Sequence, residues 1–275
     1  MDKSLKILNF IPFGSFLLDR KTYFDSFTNT TIQESMKKIF TTLFCTFLFT
    51  NLCEAQHYEH FTYWARVALQ KKLNDHWTVG GELHWRRQSD FTSSSISPFS
   101  LPLAEAIKVL AIYRNKEVAL SFEPFFFNNH PLNAKETDLK RPNRLEIRPI
   151  FYAEWIKPLS KKLIFRSRLG YEYRIFKRPD DVWGDEMGRA RIRFQLRYLV
   201  DKKNTVFISE EALYNVSPNI PANSFSQNQL YLAYNHTFSP HFSTEVGCMW
   251  NHRQRATLVE FDEENVLQSN FIFRF

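Results

Sequence analysis

The stretch that decides the fold is LIFRSRLGYEYRIF at residues 163–176, followed by RARIRFQLRY at residues 189–198. In both segments nearly every second residue is apolar or aromatic, and many of the residues between them are arginines. Strand side chains point alternately to opposite faces, whereas a helix needs apolar residues three and four positions apart. The stretch therefore predicts two strands, joined by a loop at 177–187, each with one apolar and one charged face.

Strands of about ten residues with this period are what a transmembrane β-barrel requires, because lipid meets one face and a polar interior the other. The composition agrees: of 275 residues, 28 are phenylalanine and 24% are charged, and the mean hydropathy is -0.37. A helical membrane protein would need several apolar spans of about 20 residues. The net charge of +7 is spread along the chain, and without a basic tract we expect no nucleic-acid partner.

The N-terminal part of the chain has the layout of a secretory signal. Met36-Lys37-Lys38 is followed by an uncharged apolar run at 39–52 and by the small-residue positions of Cys53-Glu54-Ala55. We predict a mis-annotated upstream extension at 1–35, a signal peptide at 36–55 and an outer-membrane barrel at 56–275. The lipoprotein alternative, with Cys53 lipidated, is disfavoured because the large Leu52 precedes the cysteine.

The same alternation recurs from residue 61 to the C-terminus, with long polar loops at 89–102 and 128–143 between short turns. It predicts an all-β fold: a single closed antiparallel transmembrane β-barrel of about 10–12 strands, with short periplasmic turns and long extracellular loops. About eleven strands can be counted, although single-chain bacterial barrels normally have an even number. Either residues 57–60 begin another strand, or a loop hides one, or one assignment is wrong.

The chain ends on Phe275, with aromatic residues at the two preceding alternate positions. This end resembles the C-terminal signal of outer-membrane barrels, so we expect membrane lipids and the outer-membrane assembly machinery as partners. The whole mature chain resembles an uncharacterised family of Gram-negative outer-membrane barrels of unknown function. The resemblance rests on LNDHW at 73–77, NQLY at 228–231, EVGCMWN at 245–251 and NFIFRF at 270–275. It implies a barrel in the bacterial outer membrane and supplies no catalytic residues.

The charged rows give the candidate site, a set of side chains expected to face the barrel interior. These are Arg144, Glu146, Arg148, Glu154, Arg166, Arg168, Glu172, Arg174, Arg191, Arg193, Arg197, Glu211 and Glu245. Small barrels fill their own interiors, so these side chains could form a salt-bridged plug in a purely structural barrel. Alternatively, they line a narrow porin-like channel for small anionic solutes, because rings of arginine favour anions.

Two further classes remain as alternatives. An outer-membrane lipid-modifying enzyme would need a nucleophile, a base and an orienting group together, but no spacing groups Ser167, Ser209 and Ser269 with His84, His236 and His252. We therefore expect no enzyme, no cofactor and no metal. A soluble β-sandwich or lipid-binding barrel would turn its apolar face inward, and the number of arginines on the other face argues against it.

Overall fold

Strands account for most of residues 55–92 and 97–275, the part of the chain that the computed structural model describes. This part contains thirteen strand segments: β1 (Gln56–Lys72), β2 (Trp77–Gln88), β3 (Leu101–Asn115), β4 (Val118–Phe122), β5 (Phe125–Asn129), β6 (Arg144–Arg148), β7 (Ile150–Pro158), β8 (Leu163–Lys177), β9 (Trp183–Leu199), β10 (Asn204–Val216), β11 (Phe225–Ser239), β12 (Phe242–Gln254) and β13 (Glu260–Arg274). A four-residue helix, α1 (Glu136–Leu139), lies between β5 and β6. Within these two ranges no helix is long and apolar enough to cross a membrane.

Two of the barrel strands are interrupted at a proline. β4 and β5 flank Pro124 and both pair with β3, while β6 and β7 flank Pro149 and both pair with β8. Backbone hydrogen bonds still reach the prolines, because the Val109 amide donates to the Pro124 carbonyl at 3.1 Å. The Tyr173 amide likewise donates to the Pro149 carbonyl at 3.0 Å. Each proline removes one ladder bond without ending its strand, so the segments make eleven barrel strands.

The closing pair of the barrel explains the odd number of strands. β1 and β13 pair in parallel, with Gln56 opposite Glu260 and Gln70 opposite Arg274, while the other pairs between described strands are antiparallel. An up-and-down sheet with an odd number of strands can close only in this way. The expectation of ten to twelve strands is confirmed. No missing upward strand is needed, because the parallel β1–β13 pair closes a barrel with an odd number of strands. Residues 57–60 belong to the start of β1.

The two ends of the barrel differ. At one end, here the turn end, connections of two to four residues join β1–β2, β3–β4, β7–β8, β9–β10 and β11–β12. At the other, the loop end, connections of five to fourteen residues join β2–β3, β5–β6, β8–β9, β10–β11 and β12–β13. The C-terminus lies at the turn end and the start of β1 at the loop end. The predicted alternation of short turns and long loops is therefore confirmed. Which end of the barrel faces the periplasm stays a prediction.

Burial separates the two faces of the sheet. The outer face carries exposed apolar side chains on every barrel strand, among them Leu83, Ile107, Leu120, Leu169, Phe194, Ile208, Leu232 and Phe271. The inner face carries buried polar and charged side chains, among them Glu82, Lys108, Glu146, Glu172, Arg189, Glu211, Asn251 and Glu264. This distribution is that of a membrane barrel and the reverse of a soluble one.

One predicted boundary is wrong. Residues 183–187 were expected in a loop, but β9 already begins at Trp183, where Trp183 pairs with Lys177. A register shift between Arg174 and Phe176 accommodates this pairing, and alternation cannot reveal such a bulge. The predicted extension at 1–35 and nearly all of the predicted signal peptide at 36–55 lie outside the described residues.

Candidate functional site in the barrel interior

A cavity of about 900 Å³ occupies the turn-end half of the barrel. Inner-face side chains from all eleven barrel strands line it, among them Arg66 on β1, Arg168 on β8 and Glu211 on β10. We call it the turn-side cavity. Toward the loop end its lining includes Arg86, Tyr152 and Arg191.

Positive charge dominates the wall of the turn-side cavity. Eleven lysines and arginines line it: Arg66, Lys72, Arg86, Lys108, Arg114, Arg166, Arg168, Arg191, Arg193, Arg197 and Arg274. Four acidic residues accompany them: Asp75, Glu123, Glu211 and Glu245. Because like charges are confined in a narrow space with low-dielectric walls, the cavity focuses a positive potential.

Glu211 on β10 organises the middle of this wall. It accepts a hydrogen bond from Arg168 Nη2 at 3.0 Å and one from Arg191 Nη2 at 2.7 Å. The Tyr152 ring lies beside them, 4.1 Å from the Arg168 guanidinium carbon. Gly170 makes room for that ring, since a Cβ at this position would lie 2.5 Å from it. One carboxylate thus fixes two guanidinium groups that also face open space.

Three more carboxylates hold basic groups of the wall, Glu154 and Glu82 from behind it and Glu123 from within the lining. Glu154 pairs with Arg166 and, at 3.0 Å, with Arg193. Glu82 and Glu123 each lie 2.8 Å from Lys108 Nζ. These pairs neutralise part of the charge and fix the direction of the cations, because a buried ion pair needs several partners in good geometry.

Some lining arginines have no carboxylate partner among the described residues: Arg86, Arg114, Arg197 and Arg274. The Arg86 guanidinium lies 3.8 Å from the centre of the Trp64 ring, and that of Arg197 lies 5.0 Å from the Phe207 ring. An aromatic face orients a cation without neutralising it. These arginines therefore offer the least compensated charge in the cavity.

In the turn at the cavity entrance, Lys72 Nζ donates to Asp75 at 2.7 Å, and this hydrogen bond lowers the pKa of the Asp75 carboxyl below its usual value.

The loop-end half of the interior is filled by a dense polar cluster. We call it the loop-side cluster: Glu146, Arg148, Glu172, Arg174 and Arg189, which are joined to one another by ion pairs. Glu146 accepts hydrogen bonds from Arg148 Nε at 2.6 Å and Arg174 Nε at 2.7 Å. Glu172 accepts them from Arg189 Nε at 2.7 Å and Arg191 Nη1 at 2.6 Å. Both glutamates are 0% exposed, so Arg191 joins a cluster whose carboxylates are closed to solvent to the turn-side cavity.

The loop at residues 130–143, here the mouth loop, reaches across to strands on the other side of β3. Lys135 Nζ lies 2.7 Å from Glu260 at the start of β13, and the buried Asp138 lies 3.2 Å from Arg255. Gln88 donates to the Pro131 carbonyl at 2.8 Å. Because β5 and β6 are separated from β13 by β3, β2 and β1 in the closed sheet, the mouth loop covers part of the loop end.

The structure places most of the predicted site residues on the inner face, in two groups. The turn-side cavity has Arg166, Arg168, Arg191, Arg193, Arg197, Glu211 and Glu245 on its wall, with Glu154 behind it. The loop-side cluster contains Glu146, Arg148, Glu172 and Arg174. Arg144 lies apart at the rim, where its side chain is 47% exposed and pairs with Asp185. Whether any of them contacts a solute stays a prediction.

Other residues of the same inner rows were not singled out from the sequence. Arg66, Arg86 and Lys108 line the cavity, and Arg189 belongs to the loop-side cluster. Arg66, Arg86 and Lys108 lie on strands with fewer charges than β8 and β9, whereas Arg189 lies on β9 in the same row as Arg191 and Arg193. Alternation alone identifies all four residues as inward-facing.

The serines and histidines considered for catalysis are dispersed. Ser167 and Ser269 lie on the outer face, whereas Ser209 lies on the inner face. His84 is hydrogen-bonded to Glu82, His236 to Asn204 and His252 to Glu263. In the described ranges no hydrogen bond joins one of these serines to a histidine. The absence of enzymatic activity stays a prediction, which hydrolysis of detergent-dispersed phospholipid by the wild type but not by Ser209→Ala would contradict.

Comparison with known proteins places the chain in a family. A solved structure that resembles it is the NanC porin in a rhombohedral crystal form, with a TM-score of 0.42 and 8% sequence identity over 72% of this chain and 87% of the porin chain. No curated protein matches the sequence. The family model described as "Protein of unknown function (DUF2490)" matches residues 61–261. Because this match covers most of the barrel, the chain belongs to the DUF2490 family of proteins of unknown function.

Proposed function

We propose that this protein is a porin-like barrel of the bacterial outer membrane, exported by a signal peptide that is cleaved after Ala55. An apolar outer face on every strand and a charged interior support the location, since only a closed barrel or a helix satisfies its backbone in lipid. Membrane lipids would contact the outer face. The C-terminal row ending at Phe275, which is 70% exposed at the turn end, would be read by the assembly machinery. The turn end would then face the periplasm.

The barrel would serve as a narrow path for small anionic solutes. The observation that carries this proposal is the excess of basic over acidic side chains on the wall of the turn-side cavity. Arg86 and Arg197, which are stacked on aromatic rings rather than paired with carboxylates, would attract an anion more strongly than the paired arginines. Pairs such as Glu211 with Arg168 would keep the remaining cations directed inward without removing their charge from the wall.

Passage would require the loop-side half to open. Its glutamates are fully buried, and the mouth loop is fastened by the Lys135–Glu260 and Asp138–Arg255 pairs. We therefore propose that the described conformation is closed and that displacement of the mouth loop admits solute. Selectivity would reside in the turn-side cavity and gating at the loop end.

Planar-bilayer recording tests this proposal. In a KCl gradient the reversal potential should show a preference for chloride, and Arg86→Glu should reduce it. The matched control is Arg87→Glu on the neighbouring residue, which donates to the Phe99 carbonyl and does not line the cavity. Cation preference in the wild type, or equal effects of the two substitutions, would contradict an Arg-lined anion path.

A structural barrel with a plugged interior is the second candidate, and the filled loop-side half favours it. The two candidates differ when the mouth loop is released. A double substitution, Lys135→Ala with Arg255→Ala, should give channels if the barrel is gated. It should leave the bilayer silent if the barrel is only structural.

A further inference from the structure

Two histidines and one glutamate meet on the outer face of the barrel, near the loop end. His57 lies on β1, His252 on β12 and Glu263 on β13. The Nδ1 atoms of His57 and His252 lie 2.8 and 2.6 Å from the same oxygen, Glu263 Oε1. Their three candidate ligand atoms all lie within 4.8 Å of one another. We propose that these three residues bind a divalent transition-metal ion, with zinc as the best fit.

The geometry follows from how the sheet closes. His252 stands directly opposite Glu263 in the β12–β13 pair, and His57 stands opposite Phe261 in the parallel β1–β13 pair. His57 and Glu263 are therefore diagonal neighbours on one face, although 206 residues separate them in sequence. Only the meeting of the first and last strands brings the three residues together.

Glu263 has coordinating capacity that its neighbours do not use. Both histidines contact Oε1, while Oε2 is buried and has no hydrogen-bond partner. The Glu263 side chain is 14% exposed, that of His252 22% and that of His57 48%. An unsatisfied buried carboxylate oxygen is unfavourable, and a cation shared with two imidazoles would satisfy it.

Aromatic rings hold the two imidazoles in place. The Phe261 ring stacks on His57 at 5.5 Å and on His252 at 4.6 Å between ring centres. Trp250 stacks on His252 at 5.6 Å, and Phe225 lies 5.9 Å away. Such packing fixes ring direction before the ion arrives, as a binding site needs, and an apolar surround strengthens a metal–ligand interaction.

The donor set selects the class of ion. Two imidazole nitrogens and one carboxylate suit zinc, whose catalytic sites use the same three ligands and leave a fourth position open. Calcium and magnesium prefer oxygen ligands. Tetrahedral ligands about 2.0 Å from zinc lie about 3.3 Å apart, so atoms already within 4.8 Å of one another need only small side-chain rotations.

The position of the site gives the ion a structural role. It would tie β1 to β13 and β13 to β12 across the seam of the barrel. That seam contains the parallel pair, and parallel pairing is slightly less stable per residue than antiparallel pairing. An ion that binds only the closed sheet would stabilise it by mass action.

Zinc titration of the full-length barrel in detergent, purified without a polyhistidine tag and stripped with EDTA, tests the proposal. Calorimetry should give one zinc per chain, and zinc should raise the temperature at which the barrel loses its unboiled gel mobility. Glu263→Gln, and separately His57→Asn with His252→Asn, should weaken binding about 100-fold or more, since even an outer partner of a metal ligand is worth 10–100-fold.

The matched control is the His130–Glu105 pair, whose Nε2 and Oε2 atoms lie 2.9 Å apart with no second histidine in the contact. Glu105→Gln should leave zinc binding and the zinc-induced shift unchanged. Unboiled gel mobility shows that each variant has folded before titration. Absence of a stoichiometric site in the folded wild type, or equal affinity in folded Glu263→Gln and Glu105→Gln, would overturn the proposal.

Discussion

The two halves of the barrel interior use the same residue types differently. In the turn-side cavity, Arg168 and Arg191 reach Glu211 at 3.0 and 2.7 Å but still border open space. In the loop-side cluster, Arg148 and Arg174 close completely around a Glu146 that is 0% exposed. The comparison teaches that inward-facing arginine does not by itself make a path. The ratio of acids to bases and the space left between them decide whether charge is presented or neutralised.

The largest effect should come from removing a carboxylate of the loop-side cluster. Glu172→Gln leaves Arg189 and Arg191 without their shared buried anion, and breaking a buried pair costs about 3–5 kcal/mol. We expect a large drop in the transition temperature, the temperature at which the barrel loses its unboiled gel mobility. Glu211→Gln should cost less because the cavity admits water. Glu210→Gln, on the outer face beside it, is the control and should have the least effect. If Glu172→Gln and Glu210→Gln lower the transition temperature equally, burial of the carboxylate in the loop-side cluster does not determine the loss of stability.

The next effect concerns packing at the cavity wall. Gly170→Ala places a Cβ 2.5 Å from the Tyr152 ring, and such overpacking costs about 1–3 kcal/mol. We expect both a lower transition temperature and altered conductance, because the ring lies beside Arg168. Gly81→Ala is the control, since its nearest neighbour, the Lys108 carbonyl oxygen, would lie 3.5 Å from the new Cβ. If both alanine substitutions lower the transition temperature equally, the space left by Gly170 does not determine the position of the Tyr152 ring.

A smaller change should follow from releasing the mouth loop. Lys135→Ala with Arg255→Ala removes the Lys135–Glu260 and Asp138–Arg255 pairs that fasten the mouth loop, together with the Arg255–Asp262 pair at 2.7 Å. The open state should therefore gain about tenfold in population. Single-channel recording measures this population as the fraction of time for which the channel is open. Arg144→Ala, which breaks the exposed rim pair with Asp185, is the control. A tenfold gain from Arg144→Ala as well would show that general loosening of the rim suffices.

The smallest effect should be on selectivity. Arg86→Ala removes one of the eleven basic groups on the wall, so the anion preference should fall by about two- to threefold. This change is equivalent to roughly 0.5 kcal/mol, the Coulomb energy of two unit charges about 8 Å apart in water. The measurement is the reversal potential, with Arg87→Ala as the matched control. An unchanged preference would mean that the paired arginines, rather than the unpaired ones, set the potential.

Much of the fold could be predicted from the sequence, because strand alternation is local. The rows of β8 and β9 predict their faces, and Pro124 correctly signals a weak point. The odd number of strands could also be predicted. The way in which the barrel closes could not, because the parallel β1–β13 pair forms between opposite ends of the chain. Periodicity also could not show that β9 begins at Trp183, since a bulge shifts the register there.

The division of the interior could not be predicted. Arg148 and Arg168 have the same pattern in sequence, but one lies in the closed cluster and the other on the cavity wall. That difference depends on which residues face each other across the barrel and on where the mouth loop docks. Likewise, His57 and Glu263 carry no local signal of a shared site.

Two glutamines on β11 allow the most direct test of the division between the halves. Gln229 lines the turn-side cavity, whereas Gln227, two residues nearer the loop end on the same face, is buried and does not. Each would be replaced by cysteine in a Cys248→Ser background, because Cys248 is an exposed thiol. A small anionic thiol reagent should modify Gln229→Cys at least ~100-fold faster than Gln227→Cys, as expected when opening costs about 2.7 kcal/mol or more. Equal rates at the two positions would contradict an open basic cavity that ends at a closed cluster.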